Sequence, residues 1–138
     1  MIRRTHALAV VISLAAGILI GIAYAQPAGR VFEIRTYTTH PGKLDALNAR
    51  FRDHTLKLFK KHGMENVGYW VPQDAPLAGN TLIYILAHPS REAAKQSWDA
   101  FRKDPDWIAA RTASEAAGPI IVKLDSVFVN ATDYSPLK

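Results

Sequence analysis

The chain has 138 residues, with 17 Lys and Arg against 12 Asp and Glu, and it has no cysteine. The absence of cysteine excludes disulfide bonds, thiolate catalysis, cysteine-ligated zinc and iron–sulfur clusters. The formal net charge of +5 is not gathered into a basic cluster interleaved with aromatic residues, so the composition does not indicate binding to nucleic acid.

The N-terminal segment has the pattern of a secretory signal peptide. Two arginines precede an uncharged apolar run at 7–22, and Ala23-Tyr24-Ala25 follows it, which is the small-x-small pattern that signal peptidase recognises. We therefore predict a signal peptide over residues 1–25, cleavage between Ala25 and Gln26, and a periplasmic or secreted protein. Because the apolar run is almost long enough to span a bilayer, an uncleaved membrane anchor is the alternative.

Residues 26–138 are predicted to form one domain with the order β-α-β-β-α-β. The predicted elements are a strand at 32–38, a helix at 43–62, strands at 67–71 and 81–87, a helix after Ser90, a short helix from Pro105 and a strand at 120–130. This order predicts an α+β, ferredoxin-like fold with a four-stranded antiparallel sheet and a short extra helix. Because 81–87 is apolar on both faces, we expect a central strand and a homodimer that forms sheet to sheet.

Motifs spread along the predicted domain carry a family resemblance. They include Phe32-Glu33-Ile34-Arg35-Thr36-Tyr37-Thr38, Pro41-Gly42-Lys43-Leu44, Phe51-Arg52-Asp53-His54-Thr55, His88-Pro89-Ser90-Arg91-Glu92-Ala93 and Asp104-Pro105-Asp106-Trp107. With these motifs in this order, the chain resembles the NIPSNAP family of the dimeric α+β barrel superfamily. The resemblance implies a ferredoxin-like domain whose sheet pairs with that of a second copy. It implies no catalytic residues, because the family has no settled ones.

Three polar side chains share one face of the first strand, because side chains alternate along a strand. These are Glu33, Arg35 and Tyr37, and the neighbouring last strand carries Lys123 and Asp125 on one of its faces. If the two sets converge, they predict a polar ligand site in which Arg35 binds an anion and Tyr37 donates a hydrogen bond. The alternative is a cross-strand charge ladder that lines a subunit interface.

The histidines do not have the spacing of a metal site, and we predict no metal. His54 and His62 are eight residues apart on a predicted helix, which is too far for one ion. His54 lies at the edge of the apolar stripe of that helix, from which it could face the sheet. Some related barrels bind haem through a helix histidine, so haem at His54 is the alternative to the prediction of no cofactor. A histidine hydrogen-bonded within the core is the other interpretation.

Aromatic residues supply a candidate apolar pocket. Trp70 and Tyr84 are predicted on adjacent strands and could line such a pocket, whereas Trp98 lies on the buried stripe of a helix and is expected in the core. The sequence contains no nucleophilic serine motif, phosphate-binding glycine loop or dinucleotide fingerprint.

Two hypotheses for function follow. The first is a homodimeric module that binds a small apolar or anionic molecule, or a partner, without turnover, with membrane contact only if the leader is uncleaved. The second is a cofactor-poor oxygenase or isomerase in which a side chain polarises the substrate, with Arg35, Tyr37 and His54 as candidates. The candidate ligand-binding residues are Glu33, Arg35, Tyr37, His54, Trp70, Tyr84, Lys123 and Asp125. Fold alone does not choose between the hypotheses.

Overall fold

The computed structural model describes residues 29–138, so the predicted signal peptide lies outside the described residues. The elements are β1 (Val31–Thr39), α1 (Leu44–Arg50), a π turn (Phe51–Thr55), α2 (Leu56–Lys61), β2 (Glu65–Trp70), β3 (Thr81–His88), α3 (Arg91–Lys103), α4 (Pro105–Ser114) and β4 (Ile121–Asn130). The strands form one antiparallel sheet in the order β2-β3-β1-β4. This topology confirms the predicted ferredoxin-like α+β fold, with β3 in the centre and α4 as the extra helix. Within residues 29–138, no helix is both long and apolar enough to cross a membrane.

One face of the sheet is covered by the helices, and we call it the helix-covered face. Glu33 and Arg35 lie on it, since both contact Trp98 of α3. Tyr37 also lies on it, with its ring 6.0 Å from that of Phe51 in the π turn. The cross-strand partners of these residues share the face, because directly opposed side chains of an antiparallel pair point the same way.

The opposite face, which we call the open face, has no helix packed on it. It carries Ile34 on β1, opposite Ile85 on β3 and Val127 on β4. Trp70 lies opposite Ile83 on this face, and the Trp70 side chain is half exposed. These apolar side chains of the open face therefore have no helix over them.

The first helical region contains a π turn at Phe51–Thr55, between α1 and α2. The amide of Leu56 donates to the carbonyl of Phe51, five residues earlier, so this turn holds one residue more than an α-helical turn. Phe51 and Thr55, at the two ends of the turn, are both buried, while the three residues between them are exposed. The hydroxyl of Thr55 donates to the carbonyl of Arg50 over 3.2 Å.

Both helices on the C-terminal side begin with the caps that the sequence predicts. The hydroxyl of Ser90 accepts from the amide of Ala93 at 3.0 Å, and the carboxylate of Asp104 accepts from the amide of Asp106 at 2.8 Å. These bonds satisfy amides that the first turn leaves without partners. Asp104 also accepts from Lys61 and His62 near the end of α2, and these hydrogen bonds hold its pKa well below the usual range. Asp104 therefore joins the end of α2 to the start of α4.

An aromatic core fills the space between the sheet and the helices. Tyr84, in the middle of β3, is fully buried and contacts rings from four other elements. The core includes Tyr37, Leu44, Leu47, Phe51, Leu58, Phe59, Met64, Leu82, Tyr84, Leu86, Trp98, Phe101 and Ile120. Its edge next to β4 is where the helix packing leaves a cavity.

Candidate functional site

A cavity of about 360 Å³ lies between the helix-covered face of the sheet and helices α1, α3 and α4. We call it the edge cavity, because it opens beside the edge strand β4. Its lining consists of Arg35, Tyr37, Arg50, Trp98, Phe101, Arg102, Trp107, Arg111, Glu115, Pro119, Ile121 and Leu124. Four arginines and four aromatic residues thus surround a space within the size range of small-molecule sites.

Glu33 lies beneath the edge cavity and holds its polar residues in place. Its Oε1 accepts from Arg35 at 2.6 Å and from Ser126 at 2.7 Å. Its Oε2 accepts from the indole N–H of Trp98 at 2.7 Å and pairs with Nε2 of His88 at 3.0 Å. Burial alone would raise the pKa of the Glu33 carboxyl group, but the four partners together lower its pKa to about 2. Glu33 is therefore a buried, ionised carboxylate.

Arg35 connects this carboxylate to the wall of the edge cavity. Its guanidinium carbon lies 4.1 Å from the centre of the Trp98 ring, within the range of a cation–π contact. One terminal nitrogen donates to Glu33 and the other to the hydroxyl of Tyr37 at 3.3 Å. Burial would lower the pKa of Arg35, but Tyr37, Tyr84 and Glu33 raise it above the ordinary value. The guanidinium is thus charged, and its Nε is buried without a hydrogen-bond partner within residues 29–138.

Tyr37 is the hydroxyl group in the cavity wall. Its oxygen accepts from Tyr84 at 3.0 Å and from Arg35 at 3.3 Å. Burial raises the pKa of Tyr84 well above its ordinary value, so Tyr84 remains a protonated donor. Since a phenolic oxygen has two acceptor positions and one proton, the two bonds leave the proton of Tyr37 for another acceptor. Tyr84 takes part in the site only through this bond, because its side chain is fully buried.

Arg50 forms the opposite end of the edge cavity, and the sequence analysis did not identify it. Its guanidinium lies 5.2 Å from the ring of Trp107, and its Nη1 donates to Ser114 at 3.1 Å and to Glu115 at 3.3 Å. Only 3% of the Arg50 side chain is exposed, yet its Nε has no hydrogen-bond partner among the described residues. Such a buried donor without a partner carries a free-energy cost of about 1–3 kcal/mol.

The two guanidinium groups lie at the ends of a continuous aromatic wall. Trp107 beside Arg50 is 4.5 Å from Phe101, and Phe101 is 5.6 Å from Trp98, as measured between ring centres. Trp98 in turn stacks against Arg35. The arrangement can hold a flat apolar molecule against the aromatic rings and an acidic group at a guanidinium.

Two of the predicted site residues lie on the wrong side of the sheet for this site. Lys123 and Asp125 are opposite Thr38 and Thr36 on the open face, where they form an ion pair at 2.8 Å. The prediction that they converge with Glu33 was wrong, because the β1–β4 register places Lys123 and Asp125 on the face of the sheet opposite to that of Glu33. The alternative of a charge ladder at a subunit interface is wrong as well, since the face that Glu33 shares is covered by helices.

The predicted pairing of Trp70 with Tyr84 is also wrong. Although the two residues lie on adjacent strands, Tyr84 is opposite Tyr69 on the helix-covered face, whereas Trp70 is opposite Ile83 on the open face. A bulge in β2 between Asn66 and Gly68 shifts the strand by one residue, and such a shift reverses the faces of the residues that follow.

The expectation that His54 faces the sheet, on which the alternative of haem at this residue depended, was wrong. His54 is exposed on the outer side of the π turn, beside Lys57 and Asp106. Regular helical spacing placed it at the edge of the buried stripe, where a small change in the rotation of the helix decides whether a side chain faces the core. Within residues 29–138, no group of three or more His, Asp or Glu side chains is arranged to hold a metal ion.

Residues that form the cavity were partly recognisable in the sequence. Strand alternation indicated Glu33, Arg35 and Tyr37 as one set, and helical spacing indicated that Trp98 is inward-facing. Arg50 carried no such signal, because a basic residue on a helix is ordinarily exposed and its burial depends on contacts with α4.

Comparison with known proteins agrees with the fold. The NIPSNAP family model matches residues 32–136. A NIPSNAP family protein of unknown function from Agrobacterium tumefaciens is 24% identical with a TM-score of 0.68, covering 79% of this chain and 94% of its own. A second from the same organism is 20% identical with a TM-score of 0.69, covering 80% and 100%.

The same fold occurs in an enzyme. SnoaB, a cofactor-independent oxygenase from Streptomyces nogalater, is 16% identical with a TM-score of 0.54, and the match covers 79% of this chain and 99% of SnoaB. At this identity the likeness concerns the fold. No curated protein sequence matches the chain.

Proposed function

The chain belongs to the NIPSNAP family, and from the edge cavity we propose that this member binds a small organic anion with an apolar body. The observation that carries the proposal is a pair of arginines in the cavity lining, Arg50 and Arg111, which share the single acid Glu115 at 3.3 Å each. This end of the cavity therefore has one positive charge in excess, and a carboxylate or similar oxyanion would accept hydrogen bonds from a guanidinium there.

The aromatic wall supports an apolar body for the ligand. Trp98, Phe101 and Trp107 present ring surface to the edge cavity, and flat rings pack favourably against such surface. An inorganic anion would leave that surface in contact with water, whereas an aromatic acid would cover the wall and reach Arg50. The proposed ligand is therefore an aromatic or similarly flat organic acid.

The proposal can be tested with 2-naphthoate and its neutral amide, 2-naphthamide, as probes in isothermal titration calorimetry. We expect 2-naphthoate to bind more tightly than 2-naphthamide. Arg50→Gln should weaken 2-naphthoate about 10- to 100-fold, since a hydrogen bond to a charged group contributes about 1.5–3 kcal/mol.

The matched control is Arg52→Gln. Arg52 lies on the same helical segment but is exposed and outside the cavity lining, so its loss changes the net charge equally and should leave the affinity within about twofold. Equal binding of the acid and the amide, or equal losses in the two variants, would contradict the proposed function.

A second candidate is an oxygenase that uses no cofactor. What favours it is the pair of donors at one end of the cavity, since Arg35 and the hydroxyl of Tyr37 can donate hydrogen bonds to the oxygen of a phenolic substrate, and SnoaB has the same fold. Dioxygen uptake measured with polycyclic phenols tests it. Uptake that depends on Tyr37 would favour the enzyme, whereas binding without uptake would favour the binding module.

We propose, further, that the protein acts outside the cytoplasm after cleavage of its leader. N-terminal sequencing of protein from the periplasmic or secreted fraction should give Gln26 as the first residue. A membrane-bound form that begins at Met1 would instead indicate an anchor.

A further inference from the structure

The two ends of the edge cavity differ in charge, and this difference restricts the ligand. Arg35, at one end, is paired with the buried carboxylate of Glu33 at 2.6 Å. The charge of Arg35 is therefore balanced within the protein. A second anion placed at this end would lie close to an ionised carboxylate from which burial excludes water, and it would be repelled.

At the other end, two arginines share one acid. Glu115 lies 3.3 Å from Arg50 through one carboxylate oxygen and 3.3 Å from Arg111 through the other. This group of three side chains has one positive charge in excess. The remaining arginine of the lining, Arg102, shares Asp99 with Lys95 on the outside of α3 and is exposed, so its charge is screened by water.

The end of the cavity beside Arg35 also offers a neutral hydrogen-bonding group, the hydroxyl of Tyr37. The oxygen of Tyr37 already accepts from Tyr84 and Arg35, so towards a ligand it can only donate its proton. A ligand atom at this position must therefore be an acceptor, such as a hydroxyl, ether or carbonyl oxygen.

From these differences, and on the basis of the proposed function, we infer that the ligand is a monoacid with a defined orientation. Its single acidic group lies at Arg50 and Arg111, its flat body lies along Trp107, Phe101 and Trp98, and an uncharged oxygen at its far end accepts from Tyr37. Diacids are excluded because the end beside Glu33 offers no uncompensated charge.

Three naphthalene acids of similar size test the inference by calorimetry. These are 2-naphthoate, 6-hydroxy-2-naphthoate and 2,6-naphthalenedicarboxylate. We expect the hydroxy acid to bind about 3- to 10-fold more tightly than 2-naphthoate, as one neutral hydrogen bond provides. The dicarboxylate should bind at least about tenfold more weakly than 2-naphthoate, because its second charge would be buried beside Glu33.

Two variants test which residues contact the two ends of the ligand. Tyr37→Phe should reduce the affinity ratio between the hydroxy acid and 2-naphthoate to about one, and Tyr134→Phe, at a residue that is 84% exposed, should leave this ratio unchanged. A loss of packing alone would weaken both acids equally and would leave the ratio as it was. Glu115→Gln adds one uncompensated charge, so it should strengthen all three acids, whereas the exposed Glu92→Gln should not.

The outcomes separate the inference from the proposed function. If the dicarboxylate binds as tightly as 2-naphthoate, or if the hydroxyl group adds nothing in the wild-type protein, the inference is overturned while anion binding stands. If none of the three acids binds, the proposed function fails and the inference fails with it. The wild-type ranking decides the question even if Tyr37→Phe does not fold.

Discussion

At the scale of single residues, the site depends on a carboxylate that the ligand would not touch. Glu33 receives side-chain hydrogen bonds from β1, β3, β4 and α3, and it thereby sets the position of both Arg35 and Trp98. Because burial without these partners would favour the neutral acid, the network and the charge of Glu33 require each other.

This dependence predicts a loss of stability in acid. The pKa of Glu33 falls from 4.5, the value for an unperturbed glutamate, to about 2 in the folded protein. As the pH falls below about 4.5, the unfolded chain takes up the proton first, so the contribution of Glu33, about 3 kcal/mol, is complete above that pH and disappears as the pH approaches 2. Urea unfolding at a series of pH values measures it.

The control for this prediction is Glu33→Gln, which cannot titrate. The variant should be less stable than the wild type at neutral pH, and the difference between the two should shrink between about pH 4.5 and 2. Two stability curves that remain parallel over this range would show that Glu33 is not the group responsible.

At the level of residues, the sequence correctly predicted the features that depend on a single strand. Glu33, Arg35 and Tyr37 share a face because of local alternation alone, which no tertiary contact can change. Lys123 and Asp125 required the register between two strands, which depends on a bulge next to Thr39 and on packing. Arg50 required the position of α4, which supplies its contacts with Trp107 and Ser114 and has no signal in the sequence around Arg50.

At the scale of elements, the π turn interrupts the first helical region without breaking its buried stripe. Phe51 and Thr55 at its two ends are buried, and the hydroxyl of Thr55 donates to the carbonyl of Arg50. Regular helical spacing predicts both buried residues, since residues four apart share a face of a helix, but it places His54 at the edge of the stripe, whereas His54 is exposed. Helix existence, caps and strand order were therefore predictable, while the orientation of His54 was not.

Thr55→Val tests the contribution of this hydroxyl to the turn. The substitution keeps the shape of the side chain but removes the donor, so we expect a loss of about 1 kcal/mol in the free energy of unfolding. It should also weaken 2-naphthoate, because the hydrogen bond that it removes helps to fix the backbone of Arg50. Thr112→Val on the exposed side of α4 is the control, and an equal effect of both changes on binding would contradict the role of the turn.

At the scale of the whole molecule, the open face is the feature that a single copy leaves unexplained. Ile34, Ile83, Ile85 and Val127 lie on it, and Val127 is 53% exposed. An apolar sheet face of this kind is normally covered. A second copy of the chain, related by a two-fold axis, offers a surface of the same chemistry, so we propose the homodimer.

Val127→Lys should dissociate this dimer, because it would bury a charge between the two open faces. We expect the dissociation constant to rise at least about tenfold, which corresponds to about 1.4 kcal/mol, as measured by light scattering over a range of concentrations. Ile108→Lys on α4, at a residue that is 51% exposed, should leave the mass unchanged. A wild-type protein that is monomeric at micromolar concentration would contradict the proposal.

The position of Glu33 and Arg35 beneath the helices has a consequence for saturation behaviour. In a dimer joined through the open faces, each protomer would keep its own edge cavity, and both sheets would stand between the two cavities. Ligand stoichiometry should then be two per dimer with a Hill coefficient of one. The Val127→Lys monomer should bind 2-naphthoate with unchanged affinity, so that occupancy reports ligand concentration independently of assembly.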